Sequence, residues 1–374
     1  MKKIVSIFFL TLCLGLLFRF LQSIGDNRLK MGELPTNAKV FELGRRLFYD
    51  PILSGNKQVS CSSCHIQEFA FSDTAKLSKG INGQTITRHS MPLANLKHNK
   101  FFFWDGRVKK LEDQVFIPIR HPKEMGGNLE TIVNRLNADP VYKRLFHDAF
   151  GTDLVDTLQI KASLVCFIEA LESKSSPMDR VFEDPKNRVI DEHRSGSSVQ
   201  SDFEVMVNLF ERSLNSKELF LMNAFKSSEK KIAYSERSLH VYTVCIQCHD
   251  KNFMGDEGQM KCNGLDSVSK DLGLGAITKN EKDIGKFKVP SFRNLFKTPP
   301  YMHDGRYKTI DEVIDHYSTG IENHPNLDPI LKENGKPIRF NLTPQEKEEL
   351  KGFLLLTEDT AFIHNKAFSN PFLP

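Results

Sequence analysis

Two segments of this chain share one pattern that strongly constrains the fold: two cysteines three positions apart, followed at once by a histidine. They are Cys61-Ser62-Ser63-Cys64-His65 and Cys245-Ile246-Gln247-Cys248-His249. In a c-type haem site the two thiols bond covalently to the haem vinyl groups, and the adjacent imidazole binds the iron. One copy alone would also fit a redox dithiol or half of a zinc site. Two copies about one domain length apart favour two covalent haems, with His65 and His249 as the proximal iron ligands.

The composition is that of a globular protein. At 374 residues the chain is long enough for two domains, each with its own hydrophobic core. A hydrophobic share of 40% and a charged share of 26% are ordinary values. The net charge of +4 argues only weakly for an anionic partner. Because no basic run with interleaved aromatic residues is present, the sequence does not indicate a nucleic-acid surface.

The N-terminus has the pattern of an export signal. A basic start, Met1-Lys2-Lys3, precedes an apolar run at residues 4–18. This run is shorter than the roughly 20 residues of a spanning helix, so we predict a signal peptide over residues 1–25, cleaved after Ser23-Ile24-Gly25. An uncleaved membrane anchor stays open. Since covalent haem attachment fits an exported bacterial protein, we predict a periplasmic location.

The remaining cysteines are few. Of seven cysteines, four serve the two haem segments and Cys13 leaves with the signal. Cys166 falls in an apolar helical stripe, which predicts a buried side chain. A disulfide between Cys166 and Cys262 is allowed outside the cytoplasm, but the sequence does not establish it.

Helical periodicity dominates the chain. Val40, Leu43, Leu47 and Phe48 fall on one helical face, and further helices are predicted at residues 128–136, 141–150 and 157–173. Capping boxes predict helices after Thr309 and after Thr343. No sustained strand alternation appears. We therefore predict a mostly α fold of two cytochrome c-like haem domains, with long loops packed around a shared interface.

Changes in composition divide the chain into five segments. Residues 184–233 are rich in charged residues, contain Ser195-Gly196-Ser197-Ser198 and include a second amphipathic stretch at residues 203–214. This segment is predicted to be a linker with an inserted helix. The full division is a signal peptide or anchor at 1–25, an N-terminal haem domain at 26–183, the linker at 184–233, a C-terminal haem domain at 234–342, and a C-terminal helix with an extended strap at 343–374.

Several motifs beside the haem segments carry a family resemblance. They are Phe101-Phe102-Phe103-Trp104-Asp105-Gly106-Arg107, Gln114, Glu124-Met125, Val289-Pro290-Ser291-Phe292-Arg293-Asn294 and Tyr301-Met302-His303-Asp304-Gly305. Together with the two haem segments they resemble the bacterial dihaem cytochrome c peroxidases, whose wider superfamily includes the MauG-type dihaem enzymes. The resemblance spans roughly residues 43–356.

The resemblance implies a role for each motif residue. The first haem would react with peroxide, with Glu124 as acid–base catalyst and Gln114 as its distal partner. The second haem would transfer electrons, and Trp104 would relay them between the haems. Without the resemblance, Glu124 would be interpreted as a surface acid and Trp104, the only tryptophan, as a core aromatic.

The first haem departs from the common family pattern. Many relatives place a removable histidine ligand sixteen residues after the proximal histidine, where this chain has Ile81. An aliphatic side chain cannot bind iron, and the nearby His89 and His98 are more typical of structural histidines. We therefore predict a five-coordinate or water-bound first haem that needs no reductive activation.

The distal ligand of the second haem is open between two residues. Tyr317 stands where many peroxidases have methionine, as in MauG-type enzymes, and shares a helical face with Ile310, Val313 and Ile314. Met302 is the rival ligand, and His316 is a weaker one. Taken alone, Tyr317 could equally be a buried tyrosine bonded to a carbonyl. A phenolate ligand would lower the haem potential relative to methionine.

The family also binds calcium between its domains. Thr298 and the Pro300 carbonyl match that site, but His89 replaces the usual asparagine. Since calcium prefers oxygen ligands, the sequence leaves calcium binding open. By the resemblance, His303 would lie in the domain interface.

Three functions fit these observations. The first is a periplasmic dihaem peroxidase that reduces hydrogen peroxide to water with electrons from a small c-type cytochrome or a similar donor. The alternative is a MauG-type enzyme that oxidatively modifies a partner protein through high-valent haem. The third is a non-enzymatic dihaem electron carrier, which would leave Glu124 and Gln114 without a role. A homodimer is compatible with the family, but no interface is evident in the sequence.

Overall fold

The computed structural model describes residues 37–183, 241, 244–249 and 258–373. The predicted signal peptide, the linker at 184–233 and the start of the second haem domain lie outside the described residues. Within the described ranges, no helix is both long and apolar enough to cross a membrane.

The fold is helical with very little sheet, as predicted. The helices are α1 (Ala38–Tyr49), α2 (Leu111–Gln114), α3 (Phe116–Arg120), α4 (Leu129–Ala138), α5 (Pro140–Phe150), α6 (Thr157–Glu169), α7 (Pro177–Glu183), α8 (Gly275–Thr278), α9 (Ile310–Asp315), α10 (Pro344–Leu355) and α11 (Thr360–Ile363). Residues 244–248, which carry the second pair of haem cysteines, are helical as well.

In the described ranges the structure also contains two antiparallel strand pairs. Strand β1 (Met260–Lys261) pairs with β2 (Phe287–Lys288), and β3 (Lys332–Glu333) pairs with β4 (Lys336–Pro337). Each strand has two residues, so these pairs fasten loops together and form no layer of their own.

Helix α1 shows why the first core forms. Asn37 caps it by accepting hydrogen bonds from the backbone N–H groups of Lys39 and Val40. The four apolar residues predicted to share one face are all buried. Gly44 lies against helix α6, where an added Cβ would collide with the main-chain oxygen of Ser163. The glycine therefore permits the close approach of α1 and α6.

Local helix signals are confirmed, with one wrong boundary. Asn128 caps α4, and Thr309 and Thr343 form the predicted capping boxes. The helix predicted at 157–173 ends at Glu169 instead. Residues 170–173 leave the helix, and the Ser173 N–H donates to Asn95 Oδ1 at 2.7 Å instead of to a carbonyl of the helix.

Among the residues that the structure describes, the buried apolar side chains form two clusters. The first contains α1, α4, α5 and α6, and the second contains α9 and α10 together with Met178. Each cluster surrounds one cavity, described below. The exact domain boundaries stay a prediction.

The C-terminal tail is not the extended strap that we predicted. It folds into α11 and a 3₁₀ turn at Lys366–Phe368, because Asp359 and Asn365 cap these turns. The tail packs on the first cluster, where Tyr49 donates its hydroxyl hydrogen bond to the Phe368 carbonyl at 2.8 Å.

Buried polar contacts stabilise this fold. Asp359 accepts hydrogen bonds from the backbone N–H groups of Lys174 and Ser175 at 2.8 and 2.9 Å. Arg293 and Asp179 form an ion pair that is almost completely buried. The ion pair lies beside Met178 and Phe292, which both belong to the second cluster, so it stabilises that cluster. The Asp359 contacts join segments that are distant in sequence.

Candidate functional site

The first cavity brings together the residues that the sequence assigned to the first haem. The two cysteines, Cys61 and Cys64, and the proximal His65 line it. Trp104, Gln114 and Glu124 line the same cavity. Most of the other lining residues are apolar, including Phe48, Val59, Leu93, Leu96, Phe102, Val115, Ile119, Leu164 and Ile168. Residues from distant parts of the chain thus enclose one apolar space.

A short turn positions the first cysteine pair. Residues Cys61–Ser63 form a 3₁₀ turn, and Ser60 and Ser63 form a capping box around it. Burial raises the pKa of Cys61 to about 12 and that of Cys64 to about 11. Both side chains are therefore neutral thiols at physiological pH.

Both proximal histidines present the nitrogen that iron needs. His65 Nδ1 lies 2.8 Å from the Phe71 carbonyl oxygen, and His249 Nδ1 lies 2.7 Å from that of Pro290. Because a carbonyl can only accept, each Nδ1 must donate, and in a neutral imidazole Nε2 then carries the lone pair that could bind iron. The main chain of Met91 also contacts the His65 ring. Burial lowers the pKa of His65, and it lowers that of His249 to about 4. Both imidazoles are therefore neutral and suited to metal binding.

Glu124 is held at the edge of the first cavity. Its side chain is 27% exposed, and its Oε1 lies 3.5 Å from His121 Nδ1. Burial raises the pKa of Glu124, and the charges of His121 and Arg107 oppose that shift. A carboxylate with a raised pKa is a stronger base than an exposed one, which suits it to exchange a proton with a bound oxygen atom.

The loop that carries Ile81 supports Glu124. The Ile81 N–H donates to the Glu124 carbonyl at 2.6 Å, and the Ile81 side chain is buried. Any side chain on Gly80 would collide with the main-chain oxygen of Lys123. Ile81 therefore holds the loop that carries Glu124 in place and offers no atom that could bind iron.

The two alternative histidines have other partners. The ring nitrogens of His89 lie 3.3 Å from Ser72 Oγ and 3.2 Å from the Ala75 carbonyl oxygen. His98 is 40% exposed and lies 3.6 Å from Glu172. That both histidines are structural stays a prediction.

Trp104 lines both cavities. Its Nε1 donates to the His89 carbonyl at 2.8 Å, and its own carbonyl accepts from the Lys288 N–H at 2.8 Å. The segments that contain His89, Trp104 and Lys288 are thus joined by hydrogen bonds between the cavities.

The second cavity contains the second haem segment and both rival ligands. Cys245, Cys248 and His249 line it together with Tyr317 and Met302. The helical face predicted from Ile310, Val313, Ile314 and Tyr317 lines this cavity as well.

Tyr317 stands in an unusual turn. It follows α9 in a π-helical turn at His316–Gly320, a feature frequent at functional sites. Burial raises the pKa of Tyr317, so its hydroxyl is protonated until a cation displaces the proton. The His316 ring is directed elsewhere, with Nε2 donating to the Asn263 carbonyl at 3.2 Å.

The residues suggested for calcium lie at the second cavity. Thr298, Pro300 and His303 line it, but the Thr298 hydroxyl donates to the Leu295 carbonyl at 3.1 Å. The His303 ring stacks on Phe287 with centroids 3.8 Å apart. In the part of the chain that the structure describes, no three His, Cys, Asp or Glu side chains cluster as metal ligands. Calcium binding stays a prediction.

The two halves use the same loop twice. Residues 102–107 and 301–306 both end in Asp-Gly-Arg, and their second residues, Phe103 and Met302, have φ angles of +64° and +73°. In each loop the aspartate side chain accepts a hydrogen bond from the backbone N–H of the arginine. Trp104 in the first loop corresponds to His303 in the second.

Sequence reasoning missed several residues around the cavities. Arg88 pairs with Asp105 and, in a bidentate contact, with Asp271. Lys288 is buried and lines both cavities. The repeated Asp-Gly-Arg could have indicated the aspartates, but nothing local in the sequence indicates Arg88 or Lys288.

Both cavities suit a covalent haem. Each combines two cysteine thiols, a neutral imidazole whose Nδ1 donates to a carbonyl and a largely apolar lining. The cations Arg88, Arg107 and Lys288 line the first cavity and can meet the haem carboxylates. The zinc and dithiol alternatives do not explain these apolar spaces beside the cysteines.

Comparison with known proteins agrees with this site. Residues 38–187 match the family described as di-haem cytochrome c peroxidase. The chain is 30% identical over 328 residues to cytochrome c551 peroxidase of Nitrosomonas europaea, covering 84% of each chain. It is also 30% identical over 323 residues to the methylamine utilization protein MauG of Methylorubrum extorquens, covering 86% of this chain and 78% of that protein.

The fold agrees as well. A solved structure of a MauG-like protein associated with microbial copper homeostasis superposes with a TM-score of 0.70 at 29% identity, covering 91% of this chain and 95% of that one. The diheme peroxidase BthA of Burkholderia thailandensis shares the fold, with a TM-score of 0.58 at 16% identity and 90% of each chain covered. This chain belongs to the di-haem cytochrome c peroxidase family.

Proposed function

We propose that the protein reduces hydrogen peroxide to water with two electrons from a small c-type cytochrome or a similar donor. Two protons and two electrons convert one peroxide into two water molecules. The observation that carries the proposal is the first cavity, where Glu124 and Gln114 line the same space as Cys61, Cys64 and His65. An electron carrier would need neither of these two polar side chains.

Each polar residue of the first cavity has its own proposed role. Cys61, Cys64 and His65 would hold a haem, and its iron would supply the redox chemistry of peroxide reduction. Glu124 takes the proton from one peroxide oxygen and returns it to the other, which assists cleavage of the O–O bond. Gln114 is its partner in orienting peroxide through its amide.

The state of the first haem follows from Ile81. Because Ile81 offers no ligand and its loop is fixed to the Glu124 backbone, this loop would leave a haem held by His65 free to bind peroxide. We infer that the enzyme needs no prior reduction. This separates it from relatives that must first release a histidine.

The second cavity would hold the haem that stores and supplies electrons. Cys245, Cys248 and His249 hold the second haem, and Tyr317 is the proposed distal ligand. Trp104 is the proposed relay, since it lines both cavities.

Other features of the proposal rest on the sequence and the family. We infer an N-terminal haem domain at 26–183, a C-terminal haem domain at 234–342 and an exported, periplasmic protein. The proposal also includes a calcium ion at Thr298 and Pro300, and His303 at the domain interface. It further includes a homodimer. Chelation followed by metal analysis tests calcium binding, and light scattering tests the homodimer.

A second candidate function is modification of a partner protein, as the MauG relative suggests. Ile81 and the placement of Tyr317 in the second cavity favour it. It predicts a long-lived oxidised enzyme and negligible turnover of reduced cytochrome.

Replacement of Glu124 tests the proposed function. We expect Glu124→Gln to lower kcat for peroxide reduction by about 10²- to 10⁴-fold, the range of acid–base assistance, while both haems stay attached. Glu130→Gln, on the exposed side of α4, is the matched control and should leave kcat unchanged. Full activity of Glu124→Gln would contradict the role of Glu124, and inactivity of the wild type with every cytochrome donor would contradict the peroxidase.

A further inference from the structure

The two rival ligands of the second haem share one hydrogen-bond donor. Asn263 Nδ2 lies 3.3 Å from the Tyr317 hydroxyl oxygen and 3.6 Å from the Met302 sulfur. A side-chain amide carries two hydrogens on this nitrogen, so it can serve both acceptors. In the described ranges, no other group hydrogen-bonds the Tyr317 hydroxyl. The position of the Tyr317 oxygen therefore depends on Asn263.

Asn263 is itself fixed on both sides. The Cys262 carbonyl accepts from the Asp328 N–H at 3.0 Å, and the Gly264 carbonyl accepts from the Glu322 N–H at 2.8 Å. Gly264 has a φ of +67°, and a Cβ there would lie 2.6 Å from the Glu322 oxygen. A larger residue at 264 would push this segment away, so the glycine keeps the amide within the cavity.

Asn263 also holds the turn that carries Tyr317. Its main-chain carbonyl accepts a hydrogen bond from His316 Nε2 at 3.2 Å, and His316 is buried. Asn263 therefore contacts two consecutive side chains of the π-helical turn. Its main-chain carbonyl contacts His316, and its side-chain amide contacts Tyr317.

Met302 is restrained from the opposite loop. Its φ of +73° is unusual for a side chain other than glycine, and such conformations persist at functional sites when the surroundings enforce them. The Gly305 N–H donates to the Met302 carbonyl at 3.1 Å, which holds that loop. Met302 is thus available in the cavity, and its sulfur is a much weaker hydrogen-bond acceptor than oxygen.

We propose that Asn263 is a positioning residue that selects Tyr317 over Met302 as the distal ligand of the second haem iron. The inference rests on the dihaem function proposed above. The amide donates strongly to the oxygen of Tyr317, and more strongly still when that oxygen is anionic on the iron. The same amide gives the Met302 sulfur only a weak contact. Loss of the amide removes the preference for oxygen and leaves the thioether free to bind.

Spectroscopy and potentiometry of the intact holoprotein test this selection. We expect Asn263→Leu, which is similar in size but cannot donate, to raise the reduction potential of the second haem and to produce the long-wavelength absorption of a methionine-bound ferric haem. The double variant Asn263→Leu/Met302→Leu should lose that absorption. An Asn263→Leu protein with the spectrum and potential of the wild type would overturn the proposal.

Met302→Leu in the wild-type background tests the choice of ligand independently of whether Asn263→Leu folds. Because Tyr317 is the selected ligand, this variant should keep the wild-type spectrum and second-haem potential. A changed spectrum or potential would show that Met302 binds iron and would overturn the proposal. Peroxide turnover of the wild type, measured on the same sample, tests the peroxidase function separately, since the spectra identify the ligand whether or not the enzyme turns over.

Discussion

The indole Nε1 of Trp104 donates a hydrogen bond to the main-chain oxygen of His89 at 2.8 Å. The N–H of His89 in turn donates to the His303 carbonyl at 2.8 Å. Trp104, His89 and His303 therefore form a continuous hydrogen-bonded connection between the two cavities. This connection joins Trp104 and His303, which occupy the same position in the two Asp-Gly-Arg loops.

Trp104→Phe tests whether this connection carries electrons. We expect a decrease of about tenfold in cytochrome-dependent peroxide reduction, equivalent to about 1.4 kcal/mol, with haem content unchanged. Tyr142→Phe is the matched control, because it also removes one hydrogen bond, from the Tyr142 hydroxyl to Asp50 at 2.6 Å, but lies away from the cavities. Equal rates for Trp104→Phe and the wild type would show that electrons take another route.

The proton chemistry predicts a pH dependence. Glu124 must be ionised to accept the first proton, so activity is present above its pKa and is lost as the pH falls through it. Burial raises this pKa, and the charge of His121 opposes the shift. We therefore expect His121→Asn to move the acidic limb of kcat against pH to a higher pH. The control is His147→Asn, which removes a similar exposed contact with Asp153 and should leave the acidic limb at its wild-type pH. The same shift of the limb in both variants would contradict an effect of His121 on Glu124.

The buried ion pair between Arg293 and Asp179 predicts a large effect on stability. Their side chains are 1% and 7% exposed, and Ser176 also donates to Asp179 through its hydroxyl and its N–H. Asp179→Asn would leave the Arg293 charge without its buried counter-charge, at a cost of about 3–5 kcal/mol in the free energy of unfolding. Urea denaturation followed by circular dichroism measures this cost.

A surface ion pair provides the comparison. Asp311 pairs with Lys351 at 2.8 Å, and its side chain is 55% exposed. We expect Asp311→Asn to change the free energy of unfolding by less than about 1 kcal/mol. A loss in Asp179→Asn as small as that in Asp311→Asn would contradict a stabilising role for the buried ion pair.

Local sequence signals predicted much of this molecule. The haem segments, the caps at Asn128, Thr309 and Thr343, and the apolar face of α1 each depend on residues close together in the chain. The end of α6 and the shape of the C-terminal tail depend on Asn95 and Asp359, which contact partners far away in sequence. Local periodicity contains no information about such partners.

The candidate site shows the same limit. Motif and family resemblance predicted Glu124, Gln114 and Trp104, and the structure places all three at one cavity. Asn263 and Lys288 belong to no motif that we recognised. Their importance comes from burial and from contacts with Tyr317, Met302 and the two cavities, which only the folded chain reveals.

Steady-state oxidation of reduced small c-type cytochromes by hydrogen peroxide, with the fully oxidised enzyme and no prior reduction, tests the central claim most directly. An open first haem beside Glu124, with Ile81 in place of a removable ligand, predicts rapid turnover from the first mixing. Activity that appears only after reduction would contradict the open first haem. A long-lived oxidised species with negligible cytochrome turnover would contradict the peroxidase and favour modification of a partner protein.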